Sequence, residues 1–200
     1  MILSVPIVVL AGGQGSRIGG NKSERLLAGV SLLDRALAKA AKYSSSVMVS
    51  VGTGKCTLPP NIGMLEDEDF IDGPIAGLAA ALNFASDAKA EHVMIMPCDT
   101  PFLPDCLLQR MYNGIGASVV ALSQYDRWLH PACSLWRTDA ATVLPDYLAR
   151  GRRSLIGFAE TVGYVAVDWP IEDVDPFLNI NTAANLLMAE EIMAQRDFQN

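Results

Sequence analysis

The chain has 200 residues, half of them hydrophobic, with a formal net charge of −7. That length buries one sizeable core, so a single domain over 1–200 is expected. The acidic balance argues against a nucleic-acid partner, and no apolar run is long enough to span a bilayer.

The first predicted strand is Ile7-Val8-Val9-Leu10, an apolar run suited to burial on both faces of a sheet. It passes into Ala11 and a loop holding Gly12, Gly13, Gly15, Gly19 and Gly20, with Arg17 and Lys22 as its cations. Glycines let a backbone turn sharply and approach a ligand closely, and inward-pointing amides bind anions. The stretch therefore reads as a polyphosphate cradle. Two familiar phosphate loops fail here by one residue. Ile18 stands where a dinucleotide fingerprint needs its third glycine, and Asn21 intervenes between Gly20 and Lys22-Ser23 where a P-loop allows nothing.

A short segment then ends in a glycine turn at Gly29, and Ser31 heads a helix with Asp34 three residues on, a capping-box variant. Leu32, Leu33, Ala36, Leu37, Ala40 and Ala41 recur at helical spacing, and Ser44-Ser45-Ser46 closes the helix. Val47 to Val51 is a second strand and Leu58-Pro59-Pro60-Asn61 a turn. Glu66-Asp67-Glu68-Asp69 reads mainly as a solvated acidic loop. Gly73-Pro74-Ile75-Ala76-Gly77 opens an alanine-rich helix to about Ala85, with Pro74 in its first turn.

Val93 to Met96 is a third strand, and Asp99 falls just past its end. Ligands of open α/β sheets bind at that edge, and a lone carboxylate beside a polyphosphate suits Mg²⁺. The spacing predicts a helix from Pro104 to Tyr112, a strand over 117–122, a loop over 126–131, a strand over 132–135 and a helix from Asp139 to about Ala149. His130 precedes a proline, has no partner in view as a general base, and reads as a surface or wall residue. A short helix follows Gly151-Arg152-Arg153-Ser154, then a strand over 164–168. Asn179 and Asn181 are turn residues whose amides suit a polar ligand, and Thr182 is the N-cap of a last helix from Ala183 to about Gln195. Strands alternate with helices, which predicts a three-layer α/β fold with a mostly parallel sheet. Cys56, Cys98, Cys106 and Cys133 have no metal-binding or redox spacing and read as reduced thiols of a cytoplasmic protein.

Four stretches together resemble a known family. The loop Leu10-Ala11-Gly12-Gly13-x-x-x-Arg17-Ile18-Gly19-Gly20 with Lys22 looks like the signature of nucleotidyltransferases with a Rossmann-like fold. Gly73 to Gly77, Pro97 to Phe102 and Asp175 to Thr182 are similar to later motifs of the molybdenum cofactor guanylyltransferases. The resemblance implies transfer of GMP from GTP to the phosphate of molybdopterin, with Mg²⁺ and release of pyrophosphate. It implies that Leu10, Ala11, Gly12 and Gly13 hold the nucleotide through their backbone, and that Asp67 contacts it. Lys22 would neutralise phosphate charge, with Arg17 beside it, and Asp99 would bind the metal. Gly73 and Gly77 would line the nucleotide, while Asn179 and Asn181 would face the pterin. Leu-Ala-Gly-Gly rather than Leu-Ala-Ala-Gly favours GTP over CTP. Transient contact with cofactor-synthesis or molybdoenzyme-maturation proteins would follow. The chain departs from the family at Gly20-Asn21-Lys22, which lacks the usual aspartate and is one residue shorter, and at Gly29-Val30-Ser31-Leu32, which lacks the usual lysine and proline. A related transferase acting on a sugar phosphate, and a nucleotide-binding protein without turnover, are the alternatives.

Overall fold

The computed structural model describes residues 4–12, 22–52, 58–60, 62–66 and 71–197; the side chains of Lys22, Arg196 and Asp197 are not described. Among the described residues, strands β1 (Ile7–Leu10), β2 (Leu26–Leu27), β3 (Val30–Ser31), β4 (Val47–Ser50), β5 (Gly63–Leu65), β6 (His92–Pro97), β7 (Val120–Tyr125), β8 (Trp128–Arg137) and β9 (Tyr164–Asp168) alternate with helices. The helices are α1 (Leu32–Tyr43), α2 (Pro74–Asp87), α3 (Leu107–Ile115), α4 (Leu144–Ala149), α5 (Leu155–Val162) and α6 (Ala183–Asp197). Seven strands form one sheet in the order β5-β4-β1-β6-β8-β7-β9, and β2 and β3 form a separate hairpin. β1 is parallel to both β4 and β6, and β8 alone runs against its neighbours β6 and β7. β9 closes the sheet, parallel to β7. The mostly parallel three-layer α/β architecture predicted from the alternation is the one observed.

Alternation along the strands divides the core. Ile7 and Val9 face a cluster with Leu33, Leu37, Leu107 and Met111 of α1 and α3. Val8 faces the opposite layer, with Ile75, Leu78 and Leu82 of α2 and Phe158 of α5. There the buried Trp136 ring stacks on Phe158 at 5.4 Å. A third, smaller cluster ties the β2–β3 hairpin to α6 and the end of β6 through Leu27, Leu32, Phe102, Ile180 and Ala189.

Local signals set most boundaries. The Ser31 Oγ accepts from the Asp34 N–H at 3.0 Å and donates to its carboxylate at 2.6 Å, so α1 begins where the capping box puts it. The Asn185 N–H donates to the Thr182 Oγ1 at 3.1 Å, an N-cap for α6. Four elements differ from expectation. α3 begins at Leu107, because the Leu107 N–H closes a turn on the Pro104 carbonyl first. The predicted strand over 117–122 runs instead from Val120 to Tyr125. The segment 126–131 is not a loop. Asp126 and Arg127 both take positive φ, 42° and 64°, and make a two-residue hairpin turn, so β8 starts at Trp128. Pro131 is tolerated inside β8 because the register slips there: Ser123 pairs with His130 while Leu122 pairs with Ser134. Finally, the helix expected from Asp139 is split into a 3-10 turn, Thr138–Thr142, and α4, with Pro145 in the first turn of α4.

Candidate functional site

The chain leaves β1 toward β4 on one side of the sheet and returns as β6 on the other, so strand order reverses between β1 and β6. Open α/β sheets bind ligands outside the carboxyl ends of the strands at such a point. The backbone past β1 is clasped from both sides. The Ala11 N–H donates to the Ser50 carbonyl at 2.8 Å, and the Leu10 carbonyl accepts from the Cys98 N–H at 3.1 Å. A Cβ on Gly12 would lie 3.3 Å from the Gly52 nitrogen and 3.5 Å from the Val51 carbonyl carbon, so a side chain there would press backbone on backbone.

The first turn of α2 meets the same edge. Gly73 takes φ 80°, ψ −172°, a conformation open essentially to glycine alone, and Pro74 starts the helix. One turn on, a Cβ at Gly77 would sit 2.5 Å from Leu10 Cδ2 and 2.8 Å from Ser50 Oγ. Glycine at 73 serves the positive φ, and the absence of a side chain at 77 lets the amino end of α2, the positive end of its dipole, approach the ends of β1 and β4.

On the other side of β1, Asp99 and Thr100 follow β6 and are both buried. The Asp99 carbonyl accepts from the Ile180 N–H at 2.9 Å, and the Thr100 hydroxyl donates to Asn179 Oδ1 at 2.7 Å. The segment before α6 is thus laid across the end of β6, some 80 residues away in sequence. Three backbone hydrogen bonds link Ser50, Ala11, Leu10, Cys98, Asp99 and Ile180 across this edge. Phe177, nearly fully buried, anchors the segment, and its N–H donates to the Asp175 carboxylate at 2.8 Å. Asn179 and Asn181 stand at the surface.

Phe177 is ringed by aromatics. His130 stacks on it at 4.5 Å with a 21° interplanar angle, Trp169 meets it edge-on at 5.8 Å, and Tyr125 lies at 6.4 Å. Burial pulls the His130 imidazole below its ordinary pKa, against a weaker upward pull from Asp175. Sequence reasoning missed Thr100 and this ring. Thr100 sits between Asp99 and Pro101 with nothing local to mark it, and the ring is assembled from four separate segments.

Of the residues expected at the site, Leu10, Ala11, Gly12, Gly73, Gly77, Asp99, Asn179 and Asn181 come together along this edge. Lys22 opens a 3-10 turn, Lys22–Glu24, and only its backbone is described. Gly13, Arg17 and Asp67 lie outside the described residues. Among the described residues no group of three or more His, Cys, Asp or Glu side chains gathers into a metal cage. A cleft of about 350 Å³ opens elsewhere, between Phe102–Cys106 and Trp169–Pro176, and none of the residues expected at the site lines it.

Residues 7–162 match the MobA-like NTP transferase domain. A molybdenum cofactor guanylyltransferase from Sinorhizobium fredii is 34% identical over 200 residues, covering 93% of this chain and 90% of the relative. Another, from Acidiphilium cryptum, is 35% identical over 187 residues, covering 92% of each. The chain belongs to the molybdenum cofactor guanylyltransferase family. The solved structure of molybdopterin-guanine dinucleotide biosynthesis protein A from Archaeoglobus fulgidus shares its fold, with a TM-score of 0.75 over 96% of this chain and all of that one at 24% identity. As a member of the molybdenum cofactor guanylyltransferase family the chain is a nucleotidyltransferase. The edge formed by 10–12, 73–77, 99–100 and 179–181 is its candidate active site.

Proposed function

We propose that this chain transfers GMP from GTP to the terminal phosphate of molybdopterin and releases pyrophosphate, giving a molybdopterin guanine dinucleotide. The observation that carries the reading is the hydrogen-bonded edge on which Leu10–Gly12, the amino end of α2, Asp99 and Asn179 meet. An acceptor phosphate oxygen forms a bond to the α-phosphorus as the bond to the β-phosphate oxygen breaks. Such a reaction needs alignment and charge stabilisation rather than a protein nucleophile.

Leu10 to Gly13 hold the nucleotide through backbone amides, with the amino end of α2 facing the same anion. Lys22 and Arg17 offset phosphate charge, and Asp67 contacts the nucleotide. Asn179 and Asn181 face the pterin. Asp99 suits Mg²⁺ as a hard oxygen donor, because that ion takes one or two carboxylates and completes its shell with phosphate oxygens and water. The ion, when bound, would neutralise charge building on the phosphates. GTP is favoured over CTP by the Ala11-Gly12-Gly13 loop.

The match over 7–162, with 179–180 bonded back to Asp99 and Thr100, supports one domain over the whole chain. Among the described residues no helix is long and apolar enough to cross a membrane. In this reading the enzyme acts in the cytoplasm, in transient contact with cofactor-maturation proteins. A second reading, a nucleotide or pterin carrier without turnover, is favoured by the altered Gly20-Asn21-Lys22 stretch. Asp99→Ala tests the metal assignment. It should abolish most Mg²⁺-dependent pyrophosphate release from GTP and molybdopterin, whereas unchanged turnover would remove Asp99 from the reaction.

A further inference from the structure

His130 is the residue whose surroundings the transfer reaction does not explain. Its Nε2 is buried with no hydrogen-bond partner among the described residues, and so is the Nε1 of Trp169. Both belong to the aromatic ring around Phe177. An unpaired buried polar atom costs free energy, and the ring is held flat on Phe177 in spite of that cost. The register slip in β8 falls at His130, and bulges re-aim side chains next to functional sites. Its imidazole lies flat on Phe177, two residues before Asn179.

Asn179 shows what that contact controls. Its Oδ1 accepts from the Thr100 hydroxyl, so the amide is turned with oxygen toward Thr100 and its two N–H donors away from it. The side chain is exposed at the strand-end edge. A donor pair fixed there is suited to an acceptor rich in phosphate and carbonyl oxygens. Fixing it requires that the short span from Phe177 to Ile180 be pinned at both ends. Ile180 is pinned by its N–H to the Asp99 carbonyl, and Phe177 by the ring stack and the Asp175 carboxylate.

We propose that His130 is a positioning residue for the acceptor: by stacking on Phe177 it holds the Asn179 amide against Thr100 so that the amide donors face the acceptor's oxygens. The acceptor's identity rests on the function proposed above, but the orientation of Asn179 does not. The stack, not the imidazole nitrogen, does the holding.

The test compares His130→Ala, His130→Phe and Thr100→Val in the full chain, each checked by thermal melting. His130→Ala should raise the acceptor KM by about tenfold, the scale of one orienting hydrogen bond, with the GTP KM and kcat changed by less than about threefold. His130→Phe should restore the acceptor KM to near the wild-type value. Thr100→Val should raise it similarly, and the His130→Ala/Thr100→Val pair should be no worse than either single change, because both act through Asn179. Independently of any substrate, the Asn179 side-chain amide signals in ¹⁵N-labelled protein should shift in His130→Ala and stay in place in His130→Phe. An unchanged acceptor KM in a folded His130→Ala protein overturns the proposal. So does an equal loss of kcat and both KM values, or a Phe variant as impaired as the Ala variant. If the wild type neither turns over nor binds molybdopterin, the proposed function fails while the amide signals still decide the role of His130; unmoved signals in His130→Ala would then overturn it.

Discussion

Gly77→Ala pits two effects of known sign against each other. Gly77 lies inside α2, where alanine is worth about 1 kcal/mol over glycine in helix propensity. Taken alone, that would stabilise the protein. The added methyl would instead fall 2.5 Å from Leu10 Cδ2 and 2.8 Å from Ser50 Oγ, both inside van der Waals contact. Overpacking of this kind costs about 1–3 kcal/mol. The net is a loss of about 0–2 kcal/mol, and for a chain of this size Tm should fall by up to about 8 °C. Leu10 and Ser50 have to give way, and Leu10 ends the strand that enters the nucleotide loop. The GTP KM should therefore rise more than the molybdopterin KM. Adding Leu10→Ala removes the closer contact and should make the double variant less destabilised than the two single changes summed. Differential scanning calorimetry and initial rates at varied GTP measure both. A Gly77→Ala protein about 1 kcal/mol more stable than wild type, with an unchanged GTP KM, would refute the close approach of α2 to β1.

Burial pushes the Cys133 thiol up to about 12, partly offset by Ser123, whereas Cys106 is exposed. Iodoacetamide at pH 8 followed by peptide mapping should modify Cys106 and leave Cys133 intact until denaturant is added; equal rates would contradict the buried thiol. Burial also holds both His92 and His130 below the ordinary imidazole value of 6.5. The unfolded chain then binds protons more readily than the folded one below that pH. The contribution is complete above pH 6.5 and is lost as pH falls from there through the lower folded values. Urea unfolding at pH 7.5 and 5.5 should show lower stability at the acid pH, with a smaller difference in His130→Phe; a difference unaffected by that change would remove His130 from the effect.

Much of the fold was legible because its signals are local. The apolar run at Ile7–Leu10, the Ser31–Asp34 cap, Pro74 at the start of α2 and the Thr182 cap each act within one turn or strand. The direction of β8 was not legible, because side-chain alternation does not distinguish parallel from antiparallel pairing. The hairpin before it turns on Asp126-Arg127, without the glycine that usually announces such a turn. At the site, residues next to a strand end or a helix start could be read. Asp99 and Gly73–Gly77 are of this kind. Thr100 and His130 gain their meaning from contacts across 40 to 80 residues, which no local pattern encodes. The bond from Thr100 to Asn179 is the clearest example, since both residues pass for ordinary turn formers in sequence.

The most direct test of the account is transfer of label from α-³²P-GTP to molybdopterin. With the purified chain and Mg²⁺, label should appear in a molybdopterin guanine dinucleotide, with one pyrophosphate released per transfer and little transfer from CTP. Tight GTP binding without label transfer, or transfer from CTP in place of GTP, would contradict it.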